Sequence, residues 1–192
     1  MKVENAKVYG LENAVRCSKF PMQIDSEVCT EEVTQTTNKL ATCGAGEGHD
    51  NFLNGIMVQF DLTFSNKAWV ELQRYHFIDF ISSQSTMHRI TKFDLDKSYN
   101  EYDDQSMIEI MKELVDAYNA KSSTDRTEED YLRILYSNPA GFELTAGMTT
   151  NYRQLKTMYK QRKNHRLPEW RELCNWMKKL PHSEWITGDS NE

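Results

Sequence analysis

The sequence predicts a mixed α/β (α+β) fold with more helix than strand, formed as a single domain over residues 1–192. Residues 56–64 alternate between apolar and polar side chains, which is typical of a strand with one buried face. Residues 104–120 instead repeat apolar side chains at helical spacing, and two further helices are expected around Pro168. A chain of 192 residues is long enough to bury a proper hydrophobic core.

The predicted strand leads directly into a predicted helix. Its inward side chains are Ile56, Val58, Phe60, Leu62 and Phe64. Asn66 is placed to cap a helix over residues 67–81, KAWVELQRYHFIDFI, where apolar side chains recur at helical spacing. The polar run at residues 82–89 would end this helix. HRITKFDL, residues 88–95, then predicts a second strand.

Helices are predicted for much of the remaining chain. The apolar face over residues 104–120 consists of Met107, Ile108, Met111, Leu114, Val115 and Tyr118. Thr127 followed by Asp130 forms a capping-box pattern that would open another helix. A short helix and then a loop are expected within residues 26–50. Pro168 fits the first turn of a helix but not its interior, so it divides the last helical segment.

The charge is unevenly distributed along the chain. The formal net charge is −6, yet residues 153–179 contain nine Lys or Arg against two Glu, a local charge of +7. The rest of the chain therefore carries −13. Because duplex binding needs a broad basic surface, this distribution argues against a binder of duplex nucleic acid. It favours a small anion held in a pocket.

Several classes of protein are disfavoured by missing patterns. The N-terminal residues lack the apolar core of a signal peptide and no run reaches membrane-spanning length, which predicts a cytoplasmic protein without membrane partners. The four cysteines form no C-x-x-C pair and no histidine stands at zinc-finger spacing, so no metal site is expected. G-x-S-x-G, P-loop and G-x-G-x-x-G motifs are also absent.

Arg162 is the first candidate for binding an anion. It continues the apolar stripe formed by Leu155, Met158 and Tyr159 at helical spacing. Two interpretations stay open: an arginine that snorkels at the helix end, or one held in a cleft to pair with a phosphate or carboxylate. Lys156, on another face of the same helix, is expected to be solvated.

The polar run SSQSTMHR, Ser82 to Arg89, is the second candidate. Loops of this kind often wrap anions with backbone N–H and hydroxyl groups. From the residues alone, we therefore predict an anion site that contains Arg89 and Arg162, with Arg153 as a further candidate.

Three segments then occur in a distinctive order. GHDNFLNGIMVQFDL contains Gly48 and His49, and FIDFISSQSTMHR, residues 77–89, ends on Arg89. The third segment contains Asn151, Arg153, Leu155 and Arg162, followed by His165, Glu169 and Arg171. In their order these segments resemble the flavin-dependent thymidylate synthase family, whose motifs are G-H-E-S-x-x-E-H, R-H-R-x-x-S-x-N-E-x-S-x-R and N-x-R…L-R…H-x-x-x-E. The resemblance covers roughly residues 48–181.

The resemblance implies a fold, an activity and a set of site residues. The implied fold is an antiparallel or mixed sheet with helices, assembled as a homotetramer. The implied activity is the reductive methylation of dUMP to dTMP with FAD, methylene-folate and NADPH. The residues implied for the dUMP-like substrate are Arg89, Arg162, Ser82, Gln84 and Ser85. Those implied for the cofactor are Asn151, Arg153, His165, Glu169 and His49. Catalytic residues are not assigned.

The family's R-H-R triplet is replaced by Phe77, Ile78 and Asp79. Because two cations that grip FAD become an apolar residue and an acid, about 3–6 kcal/mol of binding should be lost. Gln84 and Ser85 also replace the signature's Asn and Glu. Two functions therefore stay open: a divergent thymidylate synthase, or a catalytically silent relative that binds a pyrimidine nucleotide as a sponge or regulator. A third alternative, a purely structural protein, would leave the aligned arginines unexplained.

Overall fold

The structure, a computed structural model, describes residues 1–44 and 47–188. The strands are β1 Lys2–Tyr9, β2 Met57–Ser65, β3 Ile78–Ser83 and β4 Glu143–Asn151. The α-helices are α1 Leu11–Cys17, α2 Gln35–Ala41, α3 Asn66–Leu72, α4 Thr86–Arg89, α5 Gln105–Ala120, α6 Glu128–Ser137, α7 Tyr152–Arg162, α8 Pro168–Met177 and α9 Glu184–Thr187. Short 3₁₀ turns lie at Phe20–Met22, Ser26–Val28, Asn51–Gly55 and Ile90–Lys92.

The strands form one antiparallel sheet in the order β1-β2-β4-β3. Met148 of β4 lies between Phe60 of β2 and Phe80 of β3, which sets the register at the middle of the sheet. The described elements therefore confirm the predicted mixed α/β fold with an antiparallel sheet.

The main core lies between the sheet and the C-terminal helices. The inward residues of β2 are almost completely buried, and Phe64 packs edge-on against Trp170 of α8 at 5.2 Å between ring centroids. Trp185 of α9 is fully buried in the same cluster. A second cluster of buried residues joins α5 and α6 to the loop before β4; it contains Ile90, Leu95, Met111, Val115, Ile134 and Phe142.

Most predicted elements with strong periodicity are confirmed. The alternating strand is β2, and the helix over residues 104–120 is α5, which Asp104 caps by accepting a hydrogen bond from the Ser106 N–H at 2.8 Å. Thr127 and Asp130 form the reciprocal capping box of α6. Pro168 occupies the first turn of α8, and α2 is the short helix expected within residues 26–50.

The helix predicted over residues 67–81 is wrong beyond its first half. Helix α3 ends at Leu72, and residues 78–83 form strand β3 instead. The helical spacing of the apolar residues over 67–81 was misleading. Trp69 and Phe80 do contact each other, at 5.1 Å between ring centroids, but they do so across a turn and not along one helix. The cap is also one residue earlier than predicted, since the Ser65 hydroxyl accepts from the Ala68 N–H.

The strand predicted over residues 88–95 is also wrong, and two strands besides β3 went unpredicted. Residues 86–92 form α4 and a 3₁₀ turn, in which Ile90 is fully buried. These two strands are β1 and β4. Strand β4 has alternating inward residues, but its Thr residues and Gly147 weaken the apolar signal.

Candidate functional site

The start of α7 borders a cleft of about 770 Å³. Asn151 ends β4 and caps α7, because its side-chain Oδ1 accepts from the Gln154 N–H at 2.8 Å. This arrangement fixes Asn151 and Arg153 at the strand-to-helix junction. The cleft is lined by Asn54, Arg74, Tyr75, His76, Phe77, Asn151, Arg153, Gln154, Thr157 and Gln161.

The lining of this cleft suits an anion. Arg74, His76 and Arg153 supply positive charge or N–H donors, and the described lining contains no Asp or Glu. The remaining lining groups are amides, a hydroxyl and the aromatic rings of Tyr75 and Phe77. Such a site can offer hydrogen bonds and charge to a phosphate together with an aromatic wall for a flat ring.

Asp50 anchors the cationic side of the cleft from behind. Its Oδ2 lies 2.8 Å from Lys156 Nζ, and its Oδ1 lies 3.4 Å from Arg153 Nε. Lys156 also donates to the carbonyl oxygens of Ala41 and Cys43, so the prediction that Lys156 is solvated is wrong. The Arg153 side chain remains 41% exposed beside Asp50 and lines the cleft, so its guanidinium is accessible to a ligand.

Arg162 lies behind the cleft wall and does not snorkel. The residue is only 4% exposed, and it packs over the Trp170 ring at 4.5 Å. Its Nε donates to the Tyr75 hydroxyl at 2.7 Å, and its Nη1 donates to Glu71 Oε2 at 3.0 Å. Nη2 is buried without a hydrogen-bond partner among the described residues. The guanidinium is therefore built into the interior of this chain.

Glu71 and His165 set the electrostatics around this guanidinium. Burial raises the pKa of Glu71, but the hydrogen bond from Lys67 and the charges of His165, Lys67 and Arg162 outweigh it, so the pKa lies below its ordinary value. Burial and the charge of Arg162 lower the pKa of His165, against the opposing effect of Glu71. His165 Nε2 lies 2.7 Å from Arg162 Nη1, and since Arg162 can only donate, Nε2 is the acceptor in this contact.

Glu169 accepts hydrogen bonds from Ser65 and does not line this cleft. Both residues are buried, and the two carboxylate oxygens accept from the Ser65 N–H and hydroxyl, each at 2.8 Å. Arg171 of the same helix donates to the carbonyl oxygens of His165 and Arg166. Within this chain, Arg171 therefore holds the α7–α8 connection together, and Glu169 links α8 to strand β2.

The polar segment over residues 82–89 lies away from the cleft lining. Gln84 extends the pairing with β4, since its side-chain oxygen accepts from the Thr145 N–H at 2.9 Å. Ser82 and Arg89 are exposed, and the Arg89 side chain makes no hydrogen bond or ion pair with the part of the chain that is described. Ser85 precedes α4 without a side-chain cap, and His49 is exposed.

Of the predicted site residues, the cleft therefore gathers Asn151 and Arg153. The structure does not bring Arg89 and Arg162 to a common cleft within the described chain. Sequence reasoning missed Arg74, His76 and Gln161. The signal for the first two was the stretch Arg74-Tyr75-His76 directly before the altered triplet, which was hidden by its assignment to a helix.

The altered triplet lies at the edge of the cleft. Phe77 lines the cleft and is 66% exposed, whereas Ile78 is buried and faces the core. Asp79 is exposed on β3 opposite Thr149. The three positions thus present one ring, one core residue and one acid, and none of them offers a cation.

A second cleft of about 750 Å³ borders the loop before α8. Its lining mixes the carboxylates of Glu101, Asp103, Glu143, Glu169 and Glu172 with the cations Lys67, Arg166 and Arg171. Because the carboxylates outnumber the cations, this cleft is a poorer site for a phosphate. No cluster of three or more metal-ligating side chains occurs among residues 1–44 and 47–188.

The sequence matches the family described as thymidylate synthase complementing protein over residues 9–184, and the chain belongs to that family. Its fold is similar to that of flavin dependent thymidylate synthase ThyX from Helicobacter pylori complexed with FAD and dUMP, with a TM-score of 0.72, 16% identity and 97% coverage of both chains. A second structure of that enzyme with the same ligands gives a TM-score of 0.73.

The UMP/dUMP methylase PolB from Streptomyces cacaoi, bound with 5-Br dUMP, is also similar. It has a TM-score of 0.65 and 13% identity, with coverage of 97% of this chain and 94% of that chain. A search of curated protein sequences found no match. None of the described helices is long and apolar enough to cross a lipid bilayer.

Proposed function

We propose that the protein binds a pyrimidine nucleotide, with dUMP as the first candidate, in the cleft at the start of α7. The observation that carries this proposal is the acid-free lining that combines Arg74, His76 and Arg153 with the ring of Phe77. Family membership and the structural relatives bound to dUMP or 5-Br dUMP support the same ligand class.

In this proposal, the two arginines hold the phosphate while the rings border the base. Guanidinium groups suit this role because their planar N–H donors match phosphate oxygens in pairs. Asp50 keeps Arg153 oriented from behind without lining the cleft. The aromatic surface of Phe77, largely exposed in the free chain, gains a partner when a flat base lies on it.

The activity we propose first is thymidylate synthase-like methylation of dUMP to dTMP in the cytoplasm. In the family, FAD and NADPH supply the hydride for this reaction, and methylene-folate supplies the added carbon. The triplet positions do not fit FAD, because Phe77, Ile78 and Asp79 offer no cation to its pyrophosphate. The same misfit favours the second candidate, a nucleotide-binding protein without catalysis.

Alanine at Arg153 is expected to weaken dUMP binding about ten- to a hundredfold, because a charge-assisted contact to phosphate is lost. Arg74→Ala should have an effect of similar size. Isothermal titration calorimetry with dUMP measures both, and Lys179→Ala, which removes a positive charge outside the cleft, is the control. Wild-type protein that shows no heat with dUMP, dTMP or dCMP at millimolar concentration would overturn the proposed function.

Flavin binding distinguishes the two candidate functions. We expect the purified protein to carry little FAD, since the triplet lacks both cations of the family's pattern. An absorption spectrum of the purified protein checks this directly. Stoichiometric FAD, together with dTMP formation from dUMP, methylene-folate and NADPH, would support the enzyme and contradict the silent alternative.

We further propose that the protein is a homo-oligomer, in the first place a tetramer, in which one chain's Arg89 completes the cleft of another. Arg89 is exposed, and exposed apolar side chains of Phe80, Ile81 and Met87 lie on the same segment. Burial of such a patch against a second copy would stabilise the assembly.

Light scattering should return a mass well above 22.5 kDa at micromolar concentration. A mixing experiment tests the shared cleft more sharply. Arg89→Ala and Arg153→Ala protein should each bind dUMP weakly, and subunit exchange between them should restore a fraction of intact sites. A monomer in solution, or no recovery after confirmed exchange, would contradict this arrangement.

A further inference from the structure

The hydroxyl of Tyr75 links the buried guanidinium of Arg162 to the cleft. Arg162 Nε lies 2.7 Å from the Tyr75 oxygen, and that oxygen lies 3.0 Å from Oε1 of Gln161. Tyr75 and Gln161 both line the cleft, whereas Arg162 does not. Tyr75 is buried and Gln161 is exposed, so the chain of hydrogen bonds runs from the interior to the open side.

The direction of each hydrogen bond follows from the groups involved. A guanidinium has donors and no acceptor, so the Tyr75 oxygen must accept from Arg162. The hydroxyl hydrogen of Tyr75 is then free to be donated, and Gln161 can receive it only through Oε1. This fixes the orientation of the Gln161 amide. Its oxygen faces the buried tyrosine, and its NH₂ group is left on the open side of the cleft.

We propose that the Gln161 amide is a specificity-determining donor, oriented by Tyr75 and Arg162, that selects a pyrimidine with a carbonyl at position 4 over one with an amino group there. This inference rests on the proposed nucleotide-binding function and names the base that the cleft takes. Uracil presents carbonyl acceptors at positions 2 and 4, whereas cytosine presents an amino donor at position 4. An NH₂ group held in a fixed orientation can pair with the first but opposes the second.

Tyr75 and Arg162 are positioning residues in this arrangement. Without the Tyr75 hydroxyl, the Gln161 amide could turn over and offer its oxygen to cytosine, so discrimination would fall while donors for uracil remained. Arg162 acts through Tyr75. Because Arg162 Nε donates to the Tyr75 oxygen, the hydroxyl hydrogen of Tyr75 points toward Gln161. The buried cation thus serves the cleft without touching the ligand.

The test compares the affinities of the folded protein for dUMP and dCMP by calorimetry. Wild type should prefer dUMP by roughly tenfold, the effect of one mismatched hydrogen bond. Gln161→Leu should bring the ratio near one, and Gln161→Glu, which offers only acceptors when ionised, should reverse it. Tyr75→Phe should reduce the ratio while dUMP still binds. Lys160→Gln, an exposed neighbour outside the cleft lining, should leave the ratio unchanged.

The possible failures are distinguishable. If wild type binds both nucleotides equally, or if Gln161→Leu keeps the wild-type ratio, the specificity inference is wrong and the proposed nucleotide-binding function stands. If wild type binds neither nucleotide, both proposals are overturned. Since Gln161 is exposed, its variants should fold normally even if Tyr75→Phe does not, and thermal melts of each variant verify this.

Discussion

Glu71→Ala is expected to lower the free energy of unfolding by about 2–3 kcal/mol, because it removes the counter-charge of a buried guanidinium. Breaking a fully buried pair costs about 3–5 kcal/mol, and the partial exposure of Glu71 reduces that value. Arg162 already has one nitrogen, Nη2, without a partner among the described residues. Loss of the carboxylate would leave Nη1 with His165 alone. Urea denaturation measures the change.

Two variants separate the buried pair from the surface charge. Lys67→Ala removes the exposed partner of the same carboxylate, 3.3 Å from Glu71 Oε1, and should cost less than about 0.5 kcal/mol. The double variant Glu71→Leu/Arg162→Met replaces both charges with apolar groups and should be more stable than Glu71→Ala. A Glu71→Ala protein as stable as Lys67→Ala would show that the buried pair does not contribute as argued.

Acid should weaken this cluster further through both of its titratable groups. Glu71 has a lowered pKa in the folded chain, so its contribution is present above its unfolded pKa and is lost as the pH falls through the folded value. His165 also has a lowered pKa, so the unfolded chain binds a proton first. Stability should therefore decline below about pH 6.5, and His165→Gln should flatten that part of the profile.

The elements that could be predicted are those whose signal is local. The alternation in β2, the capping box of α6 and the break at Pro168 each depend on neighbours within a few residues. Asn151 and Arg153 were predictable for a related reason. They lie at one strand-to-helix junction, so residues that are close in sequence are also close in the folded chain.

What could not be predicted depends on partners that are distant in sequence. The Arg162 side chain is explained by Glu71 and Tyr75, which lie 91 and 87 residues away. Both interpretations of Arg162 from the sequence assumed that it faces solvent or ligand, because an apolar stripe does not reveal a half-buried carboxylate on another helix. Strand β3 was missed for a similar reason: its pairing with β4 overrides the helical spacing of residues 67–81.

Glu169→Ala is expected to lower the free energy of unfolding by about 2–4 kcal/mol, because it leaves two buried hydrogen-bond donors without an acceptor. The Ser65 N–H and hydroxyl both donate to this carboxylate, and Ser65 is fully buried where β2 passes into α3. The resemblance assigns Glu169 to the cofactor, whereas its contacts in this chain are those of a link between α8 and the sheet.

The conservative variant Glu169→Gln should cost less, since the amide oxygen can still accept from the Ser65 N–H while the hydroxyl turns. Glu172→Ala removes an exposed carboxylate from the same helix and should change the stability by less than about 0.5 kcal/mol. Urea denaturation of the three variants gives the comparison. If Glu169→Ala matched Glu172→Ala in stability but lost nucleotide or flavin binding, the ligand would be its main partner and the structural role would be wrong.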